Sequence, residues 1–274
     1  MIEEIGIIEV RKIVSTLLER YEIDLQDYSM TSLKRRFILS MLENKVKNVD
    51  ELVNKIISNP QFFEKFMFDI SINDTEMFRD PSLWRVIRNE IIPKVEAQLT
   101  FKIWMPDCGS GEELYSLLII LKEEGILDKV KVYASNLSRK KIEFIKEGVY
   151  EIKRDDVNSA NYERAKCNND FSEYYTLVNN RMKMDTSLVD NVEFIHTNSI
   201  FKKSPEGVKL IIFRNHLIYL NKTLQNKVIE HLQSILLTGG FLIIGVKELL
   251  NTIDAERKFK VINDSERVYQ KNLY

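Results

Sequence analysis

The residues best suited to chemistry stand in the segment "WMPDCGSGEELYS", residues 104–116. Two glycines, Gly109 and Gly111, lie between the carboxylates of Asp107 and Glu113. Glycine permits a tight turn and a close approach of the backbone to a ligand. A phosphate-binding turn usually carries a lysine against the anion, whereas these flanking charges are negative and would repel a phosphate. The segment therefore predicts a site for a cationic ligand, or for one that offers hydroxyl and amine donors.

The neighbouring elements predict that this turn leads from a strand into a helix. "FKIWM" before it reads as a strand, and "EELYSLLIILKEEG" after it reads as a helix. Further apolar strands alternate with helices up to a closing hairpin: "VKVYA", "VEFIH", "VKLIIF" and "GFLIIG", then "FKVIN" and "RVYQKN". This alternation predicts a mostly parallel sheet covered on both faces. Ligands bind such sheets beyond the carboxyl ends of the strands, where the turn would lie.

The first 70 residues show helical spacing of apolar side chains without strand signals. Asp50 is expected to cap a third helix and Pro60 to open a fourth. Asp80 is expected to cap a further helix. We therefore expect three parts, namely a helical domain, a linker helix and a ligand-binding domain: residues 1–72, 73–100 and 101–274.

Composition excludes several classes of protein. Lys and Arg number 40 against 41 Asp and Glu, which gives no general attraction to nucleic acid. Cys108 and Cys167 form no closely spaced pair, and His196, His216 and His231 share no metal-ligand spacing. We therefore expect neither a disulfide framework nor a metal site. The acidic start is unlike a signal peptide, and no apolar run reaches membrane-spanning length, so a cytoplasmic monomer without membrane insertion is expected.

The spacing of Asp107, Gly109 and Gly111 resembles the D-x-G-x-G turn of S-adenosylmethionine-dependent methyltransferases. Carboxylates suit a ligand with an amino group, ribose hydroxyls and a sulfonium. The alternative is an ordinary strand-to-helix turn with capping acids. Four segments in order resemble the CheR-type chemoreceptor glutamate O-methyltransferases more specifically: "NDTEMFRDP", "WMPDCGSGEELYS", "FRNHLIYLN" and "GGFLIIGVKE". The resemblance covers most of the chain, including "YSMTSLKRRFILSML".

The resemblance implies a Rossmann-like class I methyltransferase sheet behind a small all-α domain. It also implies a role for each matching position. Arg79 would orient an incoming carboxylate, and Tyr219 would stand close to the transferred methyl group. S-adenosylmethionine would contact a set of polar residues and glycines: Asn73, Thr75, Arg79, Asp107, Gly109, Gly111, Glu113, Asn136, Asn198, Ser199, Arg214 and Asn215. Taken singly, Arg79 could instead pair with Glu76 or Asp80, and Tyr219 could be a core aromatic.

Three features depart from that family's pattern or concern its partner. Asn136 replaces the usual acid and is expected to hold the ribose less tightly than a carboxylate would. The resemblance implies a small β-subdomain inserted at residues 149–192. Its central part contains no glycine, which predicts that it does not bind a receptor's C-terminal peptide. The basic cluster Lys34, Arg35 and Arg36 is either a docking face for acidic receptor helices or a solvated helix face.

The predicted function is therefore methyl transfer from S-adenosylmethionine to glutamate carboxylates of chemoreceptor-type proteins, with S-adenosylhomocysteine as product. The alternative is a non-catalytic binding or regulatory module that keeps the fold, with or without the cofactor. A nucleic-acid methyltransferase is a more distant third, because the chain lacks a broad basic surface and an N/D-P-P-Y/F motif.

Overall fold

The first part of the chain is a bundle of four helices. The computed structural model describes residues 5–71, 76–96, 101–250 and 257–272. The bundle consists of α1 (Ile7–Tyr21), α2 (Met30–Glu43), α3 (Val49–Ser58) and α4 (Pro60–Ile70). The apolar faces of these amphipathic helices meet in a core that contains Phe37, Leu52 and Phe66. The helices predicted from apolar spacing are therefore confirmed.

One predicted cap is corrected by the structure. Asn48, not Asp50, precedes α3, and its side-chain oxygen accepts from the Glu51 N–H at 2.9 Å. Asp50 lies in the first turn instead, where a negative charge favours the helix dipole. Pro60 opens α4 as predicted, with Asn59 as the capping residue.

A broken helix connects the bundle to the sheet. It runs through α5 (Pro81–Val86), a π-helical turn (Ile87–Ile91) and α6 (Ile92–Glu96). Pro93 follows this turn. It lacks an N–H and crowds the carbonyl four residues earlier, which accounts for the widened turn. Asp80 precedes α5, but its side chain does not cap the helix. Its carboxylate pairs with Arg214 instead.

A seven-stranded sheet forms the second part of the chain. Its spatial order is β6-β2-β1-β7-β8-β10-β9, with parallel pairs from β6 to β8 and antiparallel pairs beyond. The strands are β1 (Phe101–Met105), β2 (Val130–Asn136), β6 (Val192–His196), β7 (Val208–Phe213), β8 (Leu236–Ile244), β9 (Phe259–Asn263) and β10 (Val268–Lys271). The helices that follow or precede them are α7 (Glu112–Glu123), α8 (Arg139–Glu147), α9 (Asp155–Arg164) and α10 (Lys222–Ile235).

Both faces of the sheet are buried, as the apolar strands predicted. Ile103 and Met105 pack on the side of α7, whereas Trp104 between them packs on the side of α10. The class I methyltransferase fold behind a small all-α domain is thus confirmed.

A second, smaller sheet lies between α8 and β6 in the sequence. It orders β3 (Val149–Glu151), β5 (Arg181–Met184) and β4 (Tyr175–Val178) as antiparallel neighbours. Asn179 and Asn180 connect β4 and β5 with φ of 49° and 58°. Asparagine tolerates this left-handed region better than most residues, so the hairpin closes tightly without glycine.

The connection between α1 and α2 lies against the sheet domain. The Asn221 N–H donates to the Asp27 carbonyl at 2.8 Å, and its side-chain amide donates to the Asp27 carboxylate at 2.7 Å. The Ser29 N–H donates to the Tyr219 carbonyl at 2.7 Å. These bonds fix the helical bundle above the carboxyl ends of the parallel strands. In the part of the chain that the structure describes, no helix has the length and apolar character needed to cross a membrane.

Candidate cofactor and active site

The turn after β1 is shaped by its two glycines. Gly109 and Gly111 have φ of 52° and 96°, a backbone region that residues other than glycine rarely adopt. A Cβ at Gly111 would lie 2.7 Å from the Tyr150 hydroxyl, so a larger residue would displace the turn. The Asp107 carboxylate accepts from the Gly109 N–H at 3.0 Å. Asp107 thus stabilises the turn and presents its carboxylate beside it.

Asn136, at the end of β2, braces the same turn from below. It is almost fully buried. Its amide nitrogen donates to the Gly109 carbonyl at 3.0 Å, and its oxygen accepts from the Ser138 N–H at 2.9 Å. The amide nitrogen also lies 3.5 Å from the Asp107 carboxylate. These contacts need a donor at position 136, which a carboxylate does not have.

Arg214, directly after β7, links three separate segments. Its side chain is buried, and its two terminal nitrogens pair with Glu113 at the start of α7 and with Asp80 before α5. Burial alone would lower the pKa of Arg214, but the two carboxylates outweigh it and raise that pKa above its usual value. The guanidinium is therefore a permanent cation that holds Glu113 and the Asp80 segment in place. Arg79, next to Asp80, is half-buried, and its carbonyl accepts from the Trp84 indole at 3.0 Å.

The loop after β7 carries further polar residues. Asn215 has φ of 60°, and His216 lies with its Nδ1 3.5 Å from the Asp107 carboxylate. The His216 ring stacks on Phe213, with centroids 5.0 Å apart. Tyr219 is half-buried, and the Arg36 guanidinium covers its ring. Tyr219 therefore lies between the helical bundle and the sheet domain, and it is not a core aromatic.

A cavity that is partly open to solvent lies beside this turn, and its space together with the solvent at its mouth is about 870 Å³. Its floor comes from the carboxyl ends of β1, β2, β6 and β7, as predicted for the ligand site. The predicted residues Asp107, Asn198 and Ser199 line it, and so does His216. The helical part covers it with residues of the α1–α2 connection: Asp24, Leu25, Asp27 and Tyr28. Burial and the nearby Asp107 carboxylate raise the pKa of Tyr28 to about 12, so its hydroxyl stays protonated.

The lining indicates the kind of ligand that the cavity fits. Carboxylates and amide or hydroxyl groups alternate with apolar side chains such as Leu137 and Ile200. Among the described residues that line it there is no lysine or arginine, which is unlike a phosphate site. Hydroxyl and amine donors on a flat apolar ring system would be satisfied here. The residues present thus fit a nucleoside-type ligand without phosphate.

The predicted site residues fall into distinct groups. Asp107, Asn198 and Ser199 face the cavity, whereas Asn136 and Arg214 stabilise the segments around it. Asn73 and Thr75 lie outside the described residues. Sequence reasoning assigned no ligand contact to Asp24, Asp27 or Tyr28, because a short connection between helices carries no periodic signal. It also gave no role to the acid that ends "GGFLIIGVKE".

Comparisons with known proteins bear on this site. Residues 73–268 match the family described as CheR methyltransferase, SAM binding domain, and residues 8–71 match its all-alpha domain. A methyltransferase of Pseudomonas putida named Cher3 is 32% identical, covering 97% of each chain. A chemotaxis protein methyltransferase of Borreliella burgdorferi is 26% identical over 96% of this chain and 94% of its own. A protein of the same name from Listeria innocua is 25% identical over 85% and 87%.

Proposed function

The chain belongs to the CheR methyltransferase family and is an S-adenosylmethionine-dependent methyltransferase, and we propose that it forms methyl esters on glutamate side chains of chemoreceptor-type proteins. The acceptor is inferred from relatives that are named chemotaxis protein methyltransferases. The observation that carries the proposal is the cavity beside the D-x-G-x-G turn, because its lining of hydrogen-bond acceptors and apolar side chains suits an adenosyl group.

Within this proposal the adenosyl part of the cofactor occupies the cavity. Its ribose and adenine would meet Asp107, Asn198, Ser199 and His216, which line that space. The amino acid part would extend along Gly109 and Gly111 towards Glu113, which Arg214 holds in position. Asn136 and Asn215 would support the backbone around the ligand. Asn73 and Thr75 belong to the same set by resemblance alone.

The reaction asks the protein for positioning more than for proton transfer. A glutamate carboxylate has an ordinary pKa of about 4.3 and is an anion at neutral pH. When bound, the cofactor would supply an electrophilic methyl group on a sulfonium, and the protein would present an acceptor carboxylate oxygen to it. No general base is needed, so in-line placement and exclusion of water dominate. Arg79 would orient the incoming carboxylate, and Tyr219 would stand beside the methyl group.

Docking of the acceptor protein is proposed for helix α2. Arg35 is exposed and Lys34 is half-exposed, so both can meet acidic side chains of a partner. Arg36 differs, because its guanidinium is turned towards Tyr219. We further propose that the enzyme acts as a monomer in the cytoplasm, and that the division at residues 72, 100 and 149–192 marks its functional parts.

Calorimetry with S-adenosylhomocysteine, followed by methyl transfer to receptor-containing membranes, tests the proposal. We expect the wild-type chain to bind the product and to form alkali-labile methyl esters. Asp107→Ala should lose affinity for it. The matched control is Asp128→Ala, which alters an exposed carboxylate before β2, at the amino ends of the strands and away from the cavity. This variant should bind S-adenosylhomocysteine normally. Binding without any transfer would instead support the non-catalytic module, and no binding would overturn the site itself.

A further inference from the structure

We propose that Glu248 is a positioning residue that fixes the loop carrying Arg214, Asn215 and Tyr219. It lies just beyond β8, at the end of the segment "GGFLIIGVKE". Glu248 is not among the residues that line the cavity. The inference rests on the proposed function, because it assigns Glu248 an effect on a loop whose role in methyl transfer is itself proposed.

The carboxylate of Glu248 accepts three backbone hydrogen bonds. One oxygen accepts from the Gly245 N–H at 2.6 Å and from the Asn215 N–H at 3.0 Å. The other oxygen accepts from the Ile218 N–H at 3.2 Å. Glu248 is only 3% exposed, so its carboxylate accepts these bonds away from water. Hydrogen bonds to a carboxylate are stronger than those between neutral groups. Two of the three donors belong to the loop after β7.

The same contact explains a glycine and a strained residue. A Cβ at Gly245 would lie 2.7 Å from the Asn215 side-chain oxygen and 2.9 Å from the Asn215 nitrogen. Asn215 itself has φ of 60°, which costs energy for a residue with a side chain. The Glu248 bond to the Asn215 N–H holds this residue in that conformation. Gly245, Asn215 and Glu248 therefore form one unit.

The loop's two functional side chains depend on Glu248 to different degrees. The Arg214 guanidinium has its own anchors in Glu113 and Asp80. Tyr219 follows Ile218 directly, and besides the Ser29 N–H on its carbonyl and the Arg36 guanidinium over its ring, its backbone position depends on the bond from the Ile218 N–H to Glu248. Loss of the carboxylate should therefore displace Tyr219 more than Arg214. Turnover should suffer more than cofactor affinity.

Glu248→Gln and Glu248→Ala test this inference. Gln keeps one acceptor oxygen but turns an N–H towards a backbone donor, and Ala removes both acceptors. A displacement of about 1 Å at a reacting centre costs about 100-fold in rate. We therefore expect kcat to fall by about 10- to 100-fold, further for Ala than for Gln. The dissociation constant for S-adenosylhomocysteine should change much less. Hydrogen exchange should accelerate at Gly245 and in residues 214–219, and not in the strands of the sheet.

The matched control is Glu123→Gln at the far end of α7. Glu123 is another buried carboxylate, and it accepts from the Asn168 N–H at 3.0 Å and pairs with Arg88. This variant should lower the melting temperature without a selective loss of kcat. Unchanged kcat and exchange in both Glu248 variants would overturn the inference. A wild-type chain that transfers no methyl groups would overturn the proposed function instead, and the exchange rates of 214–219 would still decide whether Glu248 holds this loop.

Discussion

The Arg36 guanidinium lies over the Tyr219 ring, 4.4 Å from its centroid. Arg36 also donates to the Ile70 carbonyl at 3.1 Å, so it spans from α2 to the end of α4 and to the loop after β7. The basic cluster of α2 is thus divided, because Arg35 faces solvent while Arg36 contacts the proposed active site. A side chain of the helical bundle thereby takes part in holding Tyr219.

We expect Arg36→Ala and Arg35→Ala to differ in kind. Loss of a partly buried cation–π contact costs about 1–2 kcal/mol, which corresponds to roughly tenfold in rate. Arg36→Ala should lower kcat by about that factor and leave cofactor affinity unchanged. Arg35→Ala should mainly raise KM for the acceptor protein if α2 is the docking face. Steady-state methylation of receptor membranes separates the two, and equal effects on both constants would contradict this division.

Asn136→Asp should weaken cofactor binding. The substitution removes the donor to the Gly109 carbonyl and places a second negative charge near Asp107. Leaving a buried acceptor unpaired costs about 1–3 kcal/mol, or about 5- to 150-fold in affinity. Titration calorimetry with S-adenosylhomocysteine measures the change, and Asp128→Asn serves as an exposed control. Tighter binding would show that ribose contacts outweigh the support of the turn.

Arg79→Ala should reduce methyl transfer far more than cofactor affinity. Arg79 adjoins Asp80, which Arg214 ties to the start of α7, so Arg79 lies near the proposed reacting centre. Its proposed task is to orient the acceptor carboxylate and not to hold the adenosyl group. Arg85→Ala, in the following helix, is the control for lost charge. Parallel losses of binding and turnover would disprove this assignment.

A receptor's free C-terminal peptide should not bind the 149–192 insert appreciably. The hairpin tip is Asn179-Asn180, and large side chains occupy the small sheet, including the buried Met182 and Met184. Glycines that would let a peptide strand approach closely are missing from its central part. Fluorescence titration with a labelled peptide tests this. Micromolar binding that disappears when the insert is deleted would refute it.

Glu112→Gln should raise the free energy of unfolding more at pH 7 than at pH 4. Burial raises the pKa of Glu112, although Ser110 and Arg154 oppose the shift. The folded protein therefore holds this proton more tightly than the unfolded chain does. This tighter proton binding stabilises the folded state fully below the ordinary pKa of about 4.3. The stabilisation is lost as the pH rises through the raised pKa of Glu112 in the folded protein. Urea unfolding at pH 4 and pH 7 measures the difference, with the exposed Glu230→Gln as control. A gain that is larger at pH 4 would contradict the prediction.

The sequence predicted the features that depend on local patterns. Gly148 ends α8 in a left-handed conformation, and the strands around Trp104 alternate between two buried faces, as their apolar runs indicated. Contacts between distant segments were not predictable in this way. Arg36 reads as one of three equivalent cations in α2, and only the folded chain brings it to Tyr219. Asn136 reads as a weak substitute for an acid, until its donor is seen to meet Gly109.

The α1–α2 connection closes over the cavity and is tied down by Asp27 and by an exposed pair between Glu22 and Lys202. A molecule bound between this connection and the sheet is expected to leave when the connection lifts from the loop after β7. We therefore expect product release to set a ceiling on the rate of the catalytic cycle. Such a release step slows as solvent viscosity rises, whereas methyl transfer within the closed site does not.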